Sequence, residues 1–279
     1  MIAPAVRPAT RPQSAPGSNP PGPRDHISFS SITTYQQCPL KYFFKYVAGL
    51  PEETVSASFV FGRSIHRAVE FHFCELLAGN APPDLDTLLA EFHAGWDEQP
   101  AAAIVYPKTD TRDSLGQLAD RMLTAFRDSD LARPTGRILG VEEELRGQLL
   151  PGVPDLVARL DLLVESAEDI IITDFKTSRS AWTDDKAAGS AEQLLLYREI
   201  VHTLLPGRSI RLEFAVMTKT KEVTLSRHAV TPNAAKTLRT RRVVQRVWDA
   251  IDAGHFYPVP SPMNCPTCPY RVPCRHWSG

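Results

Sequence analysis

Four cysteines divided between the two ends of this chain restrict its folding more than any other feature. Cys38 stands near the start, while Cys265, Cys268 and Cys274 fall within the last fifteen residues. The run Cys265-Pro-Thr-Cys268, with a third thiol six residues on, puts three soft ligands into one short loop. Metal sites and iron–sulfur clusters built on cysteine usually take four thiolates. Cys38 is the fourth, and enlisting it ties the chain ends together. The spacing alone suits a [4Fe–4S] cluster and a structural Zn2+ site about equally. Five cysteines in all is an odd number, which argues against a disulfide framework and for a reducing, cytoplasmic compartment. Cys74 is left as a buried bystander on a helix.

The composition of the 279 residues is 43% hydrophobic and 23% charged, that of an ordinary globular protein. A formal net charge of −1 excludes a bulk positive field, so any nucleic-acid contact must come from local basic patches. No apolar run reaches the ~18 residues of a membrane span, and the N-terminus has no continuous apolar segment of a secretory leader. Seven prolines crowd the first 25 residues without hydrophobic period, so residues 1–27 read as a disordered tail and 28–279 as one domain.

Ser28 to Ser31 offer caps for a helix running through Tyr35, Leu40 and Phe44 to Val47. Helical periodicity continues over 59–78, 85–96 and 115–131. The period then changes: 138–150, 155–165 and 170–176 are β-branched-rich segments broken by turns, the pattern of an antiparallel meander. A helix over 190–205 stops at Pro206-Gly207. Strands over 210–218 and 222–230 follow, then a last helix opening at Thr231-Pro232. This order predicts an α/β fold, a mixed sheet core flanked by helices, with a helical N-terminal elaboration and a C-terminal cysteine loop.

Asp174-Phe175-Lys176 ends one of these strands. Residues i and i+2 on a strand share a face, so this carboxylate and this ammonium point the same way. Asp161 lies on the preceding strand, where a hairpin brings it alongside Asp174. Two converging carboxylates repel unless a cation lies between them, and hard oxygen ligands suit Mg2+ or Mn2+. Such an ion polarises a phosphate and activates water, with Lys176 placed to steady the developing charge. Gln193 and Tyr197, at i and i+4, share one helix face from which they reach a phosphate or position Lys176. His66, early in the second helix, is a further candidate ligand for Mn2+, and Gly62 before it permits close backbone approach. Glu142 and Glu144 share a strand face, and either could support the site.

In this order, Gly62-x-x-x-His66, Asp161, Asp174-Phe175-Lys176-Thr177 and Gln193-x-x-x-Tyr197 resemble the PD-(D/E)XK superfamily, and within it the RecB-like exonucleases. Ser28 to Tyr42 is similar to the start of this family, and Gly254-His255-Phe256-Tyr257-Pro258 leading into the cysteines resembles the close of its iron–sulfur-bearing members, such as AddB-type subunits and CRISPR adaptation nucleases. The resemblance covers residues 28–276. It implies a restriction-endonuclease-like fold, with His66, Asp161, Asp174 and the Phe175 carbonyl holding the catalytic metal. Lys176 is then the catalytic lysine, supported by Gln193 and Tyr197. Cys38, Cys265, Cys268 and Cys274 would hold a [4Fe–4S] cluster. A glycine often present three residues before the first aspartate is Ala158 here.

Lys236, Arg239, Arg241, Arg242 and Arg246 cluster on the last helix and are candidates for tracking DNA phosphates, with Lys41, Lys45, Arg63 and Arg67 extending the track. No base-reading element is evident, so strand form or free ends, rather than sequence, should select the substrate. The function implied is metal-dependent DNA cleavage, as a single-strand-preferring exonuclease in repair, recombination or defence. The alternative is a non-cleaving DNA-end-binding subunit. The chain carries no Gly-x4-Gly-Lys-[Ser/Thr] run, so unwinding would need a partner helicase or another repair or defence protein.

Overall fold

The computed structural model describes residues 25–98 and 103–279. The expected tail lies outside the described residues up to position 24. His26 and Ile27, at its margin, already belong to strand β1 (His26–Ser28). Helix α1 (Phe29–Gln37) starts on a reciprocal cap: the Ser31 N–H donates to Ser28 Oγ, and the Ser28 N–H donates to Ser31 Oγ. The single helix expected through Val47 is broken. Cys38 is extended, at φ −165° and ψ 106°, and the chain re-enters helix as α2 (Pro39–Tyr42) and a π-helical turn over Phe43–Val47. A proline disfavours helical geometry in the residue before it, so Cys38 sits at a joint between helices.

A short strand β2 (Thr54–Ser56) precedes α3 (Ala57–Leu77) and α4 (Leu85–Asp97), and β3 (Ala103–Val105) precedes α5 (Arg112–Asp128). Ser56, Asp84 and Thr111 cap these three helices through their side-chain oxygens. The long strands β4 (Arg137–Gly147), β5 (Asp155–Glu165) and β6 (Asp169–Ser178) are followed by α6 (Asp184–Gly189) and α7 (Glu192–Leu204). The chain then forms β7 (Ser209–Thr218), β8 (Leu225–Val230), α8 (Ala234–Asp252) and α9 (Arg271–Arg275). Strand β8 starts three residues later than expected because Thr218 and Thr224 close the intervening turn. Helix α8 is capped by Asn233 rather than opened by Pro232.

Strands β4, β5 and β6 form the expected antiparallel meander, while β7 lies parallel to β6 across the α6–α7 connection and β8 closes antiparallel on β7. The sheet is mixed and has helices on both faces, so the expected α/β architecture holds. Strand β6 is buried on both sides, which explains its unbroken run Ile170-Ile171-Ile172. Ile170, Ile172, Leu212 and Phe214 face α1, α7 and α8, whereas Ile171, Phe175, Ala215 and Met217 face α3, α4 and α5. A third, small core of Leu40, Phe44 and Tyr270 joins the two chain ends, with Cys38, Cys268 and Cys274 packed against it. Among the described residues, no helix is long and apolar enough to cross a membrane.

One detail of register creates the site. On one edge, β5 pairs with β4 along its length. Its other edge is shared: β6 pairs only with Leu162–Glu165, and β1 only with Asp155, Leu156 and Val157. Residues 158–161 of β5 therefore face a fork between two departing strands.

Candidate active site

Asp161 stands at that fork. Its Oδ2 accepts a hydrogen bond of 2.7 Å from the Phe175 backbone N–H, so the carboxylate bridges β5 and β6 where their pairing has ended. Asp174, on β6 beside it, is 3% exposed. The Lys176 ammonium lies 2.7 Å from Asp174 Oδ2, yet that oxygen accepts no aligned hydrogen bond. The same ammonium donates to Gln193 Oε1 at 3.4 Å, and Gln193 Nε2 donates to the Tyr197 hydroxyl at 3.0 Å. Helix α7 thus gives Lys176 a second contact besides Asp174. Asp161, Asp174, Lys176, Gln193 and Tyr197 come together as one connected group.

His66 reaches the fork from α3, on the other face of the sheet. Its Nδ1 is 3.6 Å from Asp161 Oδ2. It lies in the middle of α3 rather than early in the helix, because α3 begins at Ala57. A Cβ on Gly62, one turn before it, would meet Thr177 Oγ1 at 3.3 Å, so the missing side chain lets α3 lie close against the end of β6. Ligand atoms of His66, Glu142 and Asp161 lie within 4.8 Å of one another, the one such group among the described residues. Asp174, expected among the ligands, is outside this group and pairs with Lys176, while Glu142 is within it.

The strand pattern could not separate Glu142 from Glu144. Alternation puts both on one face, but Glu142 has φ +48°, a left-handed conformation that costs a non-glycine residue about 1 kcal/mol. This irregularity breaks the period of two. It turns Glu142 inward, with its side chain 18% exposed, and leaves Glu144 at 48%.

The electrostatics follow from crowding acids on poorly solvated ground. Burial, then the charge of Asp174, pushes the Asp161 carboxyl well above its ordinary range, against Lys176 and the Phe175 N–H. Burial, then Asp161 and Glu70, raises Glu142 to about 7. Burial lowers His66, against Asp174, which favours the neutral imidazole a metal requires. Burial also pulls the Lys176 amine down, but the Asp174 carboxylate beside it outweighs this and leaves it above the usual lysine value. Tyr197 is pushed up to about 12, chiefly by burial, and stays a phenol.

Two carboxylates that resist ionising, a neutral imidazole and an unsatisfied buried Asp174 oxygen are the chemistry of a site shaped for a divalent cation. A cleft of about 450 Å3 opens beside it, lined by Arg63, Arg67, Glu70 and Arg159. Cys74, expected to be buried, is exposed and lines this cleft.

The family model of the PD-(D/E)XK nuclease superfamily matches residues 26–275. The chain belongs to the PD-(D/E)XK nuclease superfamily. Nucleases of this superfamily act on DNA and typically use a divalent metal, with which the His66–Glu142–Asp161 group agrees. A solved structure described as "Putative exonuclease" from Eubacterium rectale aligns with 90% of this chain and 88% of that one, at a TM-score of 0.54 and 15% identity, a likeness of fold. The structure of SSO0001 aligns with 88% of this chain and 96% of that one, at 14% identity and a TM-score of 0.35. No curated protein matches this PD-(D/E)XK chain.

The four cysteines gather where the two chain ends meet. Burial, then Cys38, Cys268 and Cys265, raises the Cys274 thiol. The Leu40 N–H donates to Tyr257 O at 3.0 Å, and the Tyr35 hydroxyl donates to His255 O at 2.6 Å. All five cysteines are free thiols. No three of the four sulfurs at the chain ends fall within 4.8 Å of one another.

Of the basic residues singled out for DNA contact, Lys236 is engaged by Glu192 at 3.2 Å and by the Ala188 and Gly189 carbonyls. Arg241 is held by Glu199 and Leu149 O, Lys45 by Glu52, and Arg67 by Glu91 and Glu98. Arg239, Arg242 and Arg246 are exposed on α8, which packs against α7 and α1 rather than at the fork.

Proposed function

We propose that this nuclease is a Mg2+- or Mn2+-dependent exonuclease that prefers single-stranded DNA, with His66, Asp161 and Asp174 or Glu142 holding the ion, and with the Phe175 carbonyl beside them. The observation that carries the reading is the convergence of His66, Glu142 and Asp161 within 4.8 Å, next to a lysine held 2.7 Å from Asp174. When bound, the ion supplies Lewis-acid polarisation of the scissile phosphate and eases deprotonation of water. Lys176 donates to a phosphoryl oxygen as charge develops there, and Gln193 keeps its ammonium aimed. Tyr197 fixes Gln193 in turn. Glu142, beside His66 and Asp161, stands where it could take a proton from the attacking water if it does not itself hold the ion.

Cys38, Cys265, Cys268 and Cys274 serve as ligands of a [4Fe–4S] cluster in this reading. Four thiolates also suit a tetrahedral Zn2+, and the resemblance to iron–sulfur-bearing nucleases is what favours the cluster. The cluster joins the ends of a single nuclease domain over 28–279 in a RecB-like, AddB-type arrangement. Its setting is cytoplasmic repair, recombination or defence, alongside a helicase, and the exposed Arg239, Arg242 and Arg246 extend the DNA track along α8, without the engaged Lys236.

The test is digestion of end-labelled linear single strands in Mn2+, with closed circular single strands as the comparison. The expected result is stepwise loss of the linear substrate only, abolished by Asp174→Ala and by Lys176→Ala. Intact linear DNA after incubation with anaerobically prepared protein would overturn the assignment and leave an end-binding module.

A further inference from the structure

Lys219 follows directly on β7, and its backbone N–H donates to Ser178 O at 2.6 Å, which fixes it to the end of the catalytic strand β6. Ser178 lies two residues past Lys176, about 7 Å along the strand. The Lys219 side chain turns towards α3. Its Nζ donates to Ser58 Oγ at 2.9 Å and lies 5.8 Å from the centre of the Phe61 ring. The other partly buried lysines that line up with acids do so closely: Lys45 with Glu52 at 2.6 Å, Lys176 with Asp174 at 2.7 Å and Lys236 with Glu192 at 3.2 Å. Lys219 makes no ion pair among the described residues. Burial, then Arg179, pulls its amine below the ordinary lysine value, and only Asp110, beyond ion-pair reach, opposes this. A desolvated cation without a counter-ion is costly. The cost falls once an anion arrives.

Position says which anion. Ser58, Gly62 and His66 are spaced i, i+4 and i+8 on α3, and hence lie along one stripe. That stripe follows the end of β6: His66 meets Asp161, Gly62 meets Thr177, and Ser58 meets Lys219 beside Ser178. Eight helical residues span about 12 Å, so Lys219 is too far from the fork to touch the scissile phosphate. It is well placed for a neighbouring one. An ammonium has three N–H donors, of which Ser58 takes one, and the Ser58 hydroxyl keeps its own proton to donate.

We propose that Lys219 and Ser58, with the exposed guanidinium of Arg179 at the rim, form a binding subsite for a backbone phosphodiester of the DNA strand, displaced along α3 from the cleavage centre. The proposal rests on the nuclease reading above and adds to it the path the strand takes over the protein. Lys219 is a substrate-positioning residue, not one that touches the reacting atoms.

The experiment is fluorescence anisotropy of a short labelled oligothymidylate against full-length protein in EDTA, over a series of salt concentrations. It compares wild type, Lys219→Gln and Lys219→Arg, with thermal melts of each free protein. For Lys219→Gln the dissociation constant should rise roughly tenfold, and the slope of log affinity against log salt should shrink by about 0.7, one single-strand phosphate. Lys219→Arg should retain the slope. The free Lys219→Gln protein should melt no lower than wild type, because the change removes an uncompensated charge. An unchanged salt slope would overturn the subsite, and so would a fall in melting temperature that accompanies the lost affinity. If wild type digests DNA but Lys219→Gln binds like wild type, the subsite alone fails. If wild type neither binds nor digests DNA, the nuclease reading fails and takes the subsite with it.

Discussion

Replacing Glu142 by Gln should stabilise the metal-free protein at alkaline pH, the opposite of what loss of a structural ion pair would do. The side chain is 18% exposed and stands 3.7 Å from Arg159. Its carboxyl nevertheless titrates at about 7 rather than 4.5, because burial, then Asp161 and Glu70, oppose its charge more than Arg159 and His66 favour it. Between those two pH values the native state holds a proton that the unfolded chain has released. Stability contributed by this group is therefore greatest at or below about 4.5 and is lost as pH rises to about 7. Each pH unit in that window is worth about 1.4 kcal/mol, so the full loss is about 3 kcal/mol. Gln keeps the shape and the left-handed backbone but has no charge to confine, so the backbone strain cancels in the comparison. For a domain of this size about 3 kcal/mol corresponds to roughly 5–10 °C in melting temperature.

The assay is thermal unfolding by circular dichroism in EDTA at pH 4.5 and pH 8, repeated in Mn2+. Glu142→Gln should melt several degrees above wild type at pH 8 and level with it at pH 4.5. Added Mn2+ should raise wild type more than the variant, since only the carboxylate offers the ion a charged oxygen. A variant that melts at or below wild type at pH 8 in EDTA would refute the reasoning and make Glu142 the structural partner of Arg159.

Other substitutions probe the frame around the site. Gly136 has φ +134°, and a Cβ there would lie 2.3 Å from the Glu165 carbonyl oxygen, so Gly136→Ala should cost about 3 kcal/mol in urea unfolding by forcing β4 off β5. Glu213, 7% exposed, accepts from Thr173 at 2.8 Å and from Arg227 at 2.6 Å. Arg227→Ala should cost about 2 kcal/mol by stranding that carboxylate, and adding Glu213→Gln should recover most of it. Cys38→Ser should abolish the brown colour and charge-transfer absorption expected of anaerobically purified wild type, as metal analysis would confirm. A colourless wild type holding stoichiometric zinc would refute the cluster.

The parts of the fold that were legible are those where a local rule and the tertiary environment agree. The β4–β6 meander shows because each strand carries its own hydrophobic run and turn. Lys176 and Gln193 could be matched in advance because strand and helix periods are regular just there. Glu142 was not separable from Glu144, because one residue at φ +48° cancels alternation and leaves no mark in composition. Cys74 was misplaced for a related reason. Phe71, Phe73, Leu76 and Leu77 around it are apolar, but Glu70 and Glu75 mark its own face: Phe73 turns into the core at 0% exposure while Cys74 turns towards the cleft. Which basic side chains are free could not be read from spacing, since Lys236 and Arg67 find acids and carbonyls that only the packed structure brings near.

The fork and the cysteines, distant in sequence, are mechanically joined. The gap at residues 158–161 of β5 is bounded on one side by β6 and on the other by β1. Strand β1 pairs through three residues only, too few to hold an edge by themselves. What anchors it is the segment that follows: α1, tied through the Tyr35 hydroxyl to His255 O, and the joint at Cys38, packed with Cys268 and Cys274 on the Leu40–Phe44–Tyr270 core. Closing a loop of more than two hundred residues removes freedom chiefly from the unfolded ends. Here one of those ends borders the fork at Asp161. The metal centre proposed for the four cysteines would thus steady the spacing of Asp161 from Phe175, acting through α1 and β1.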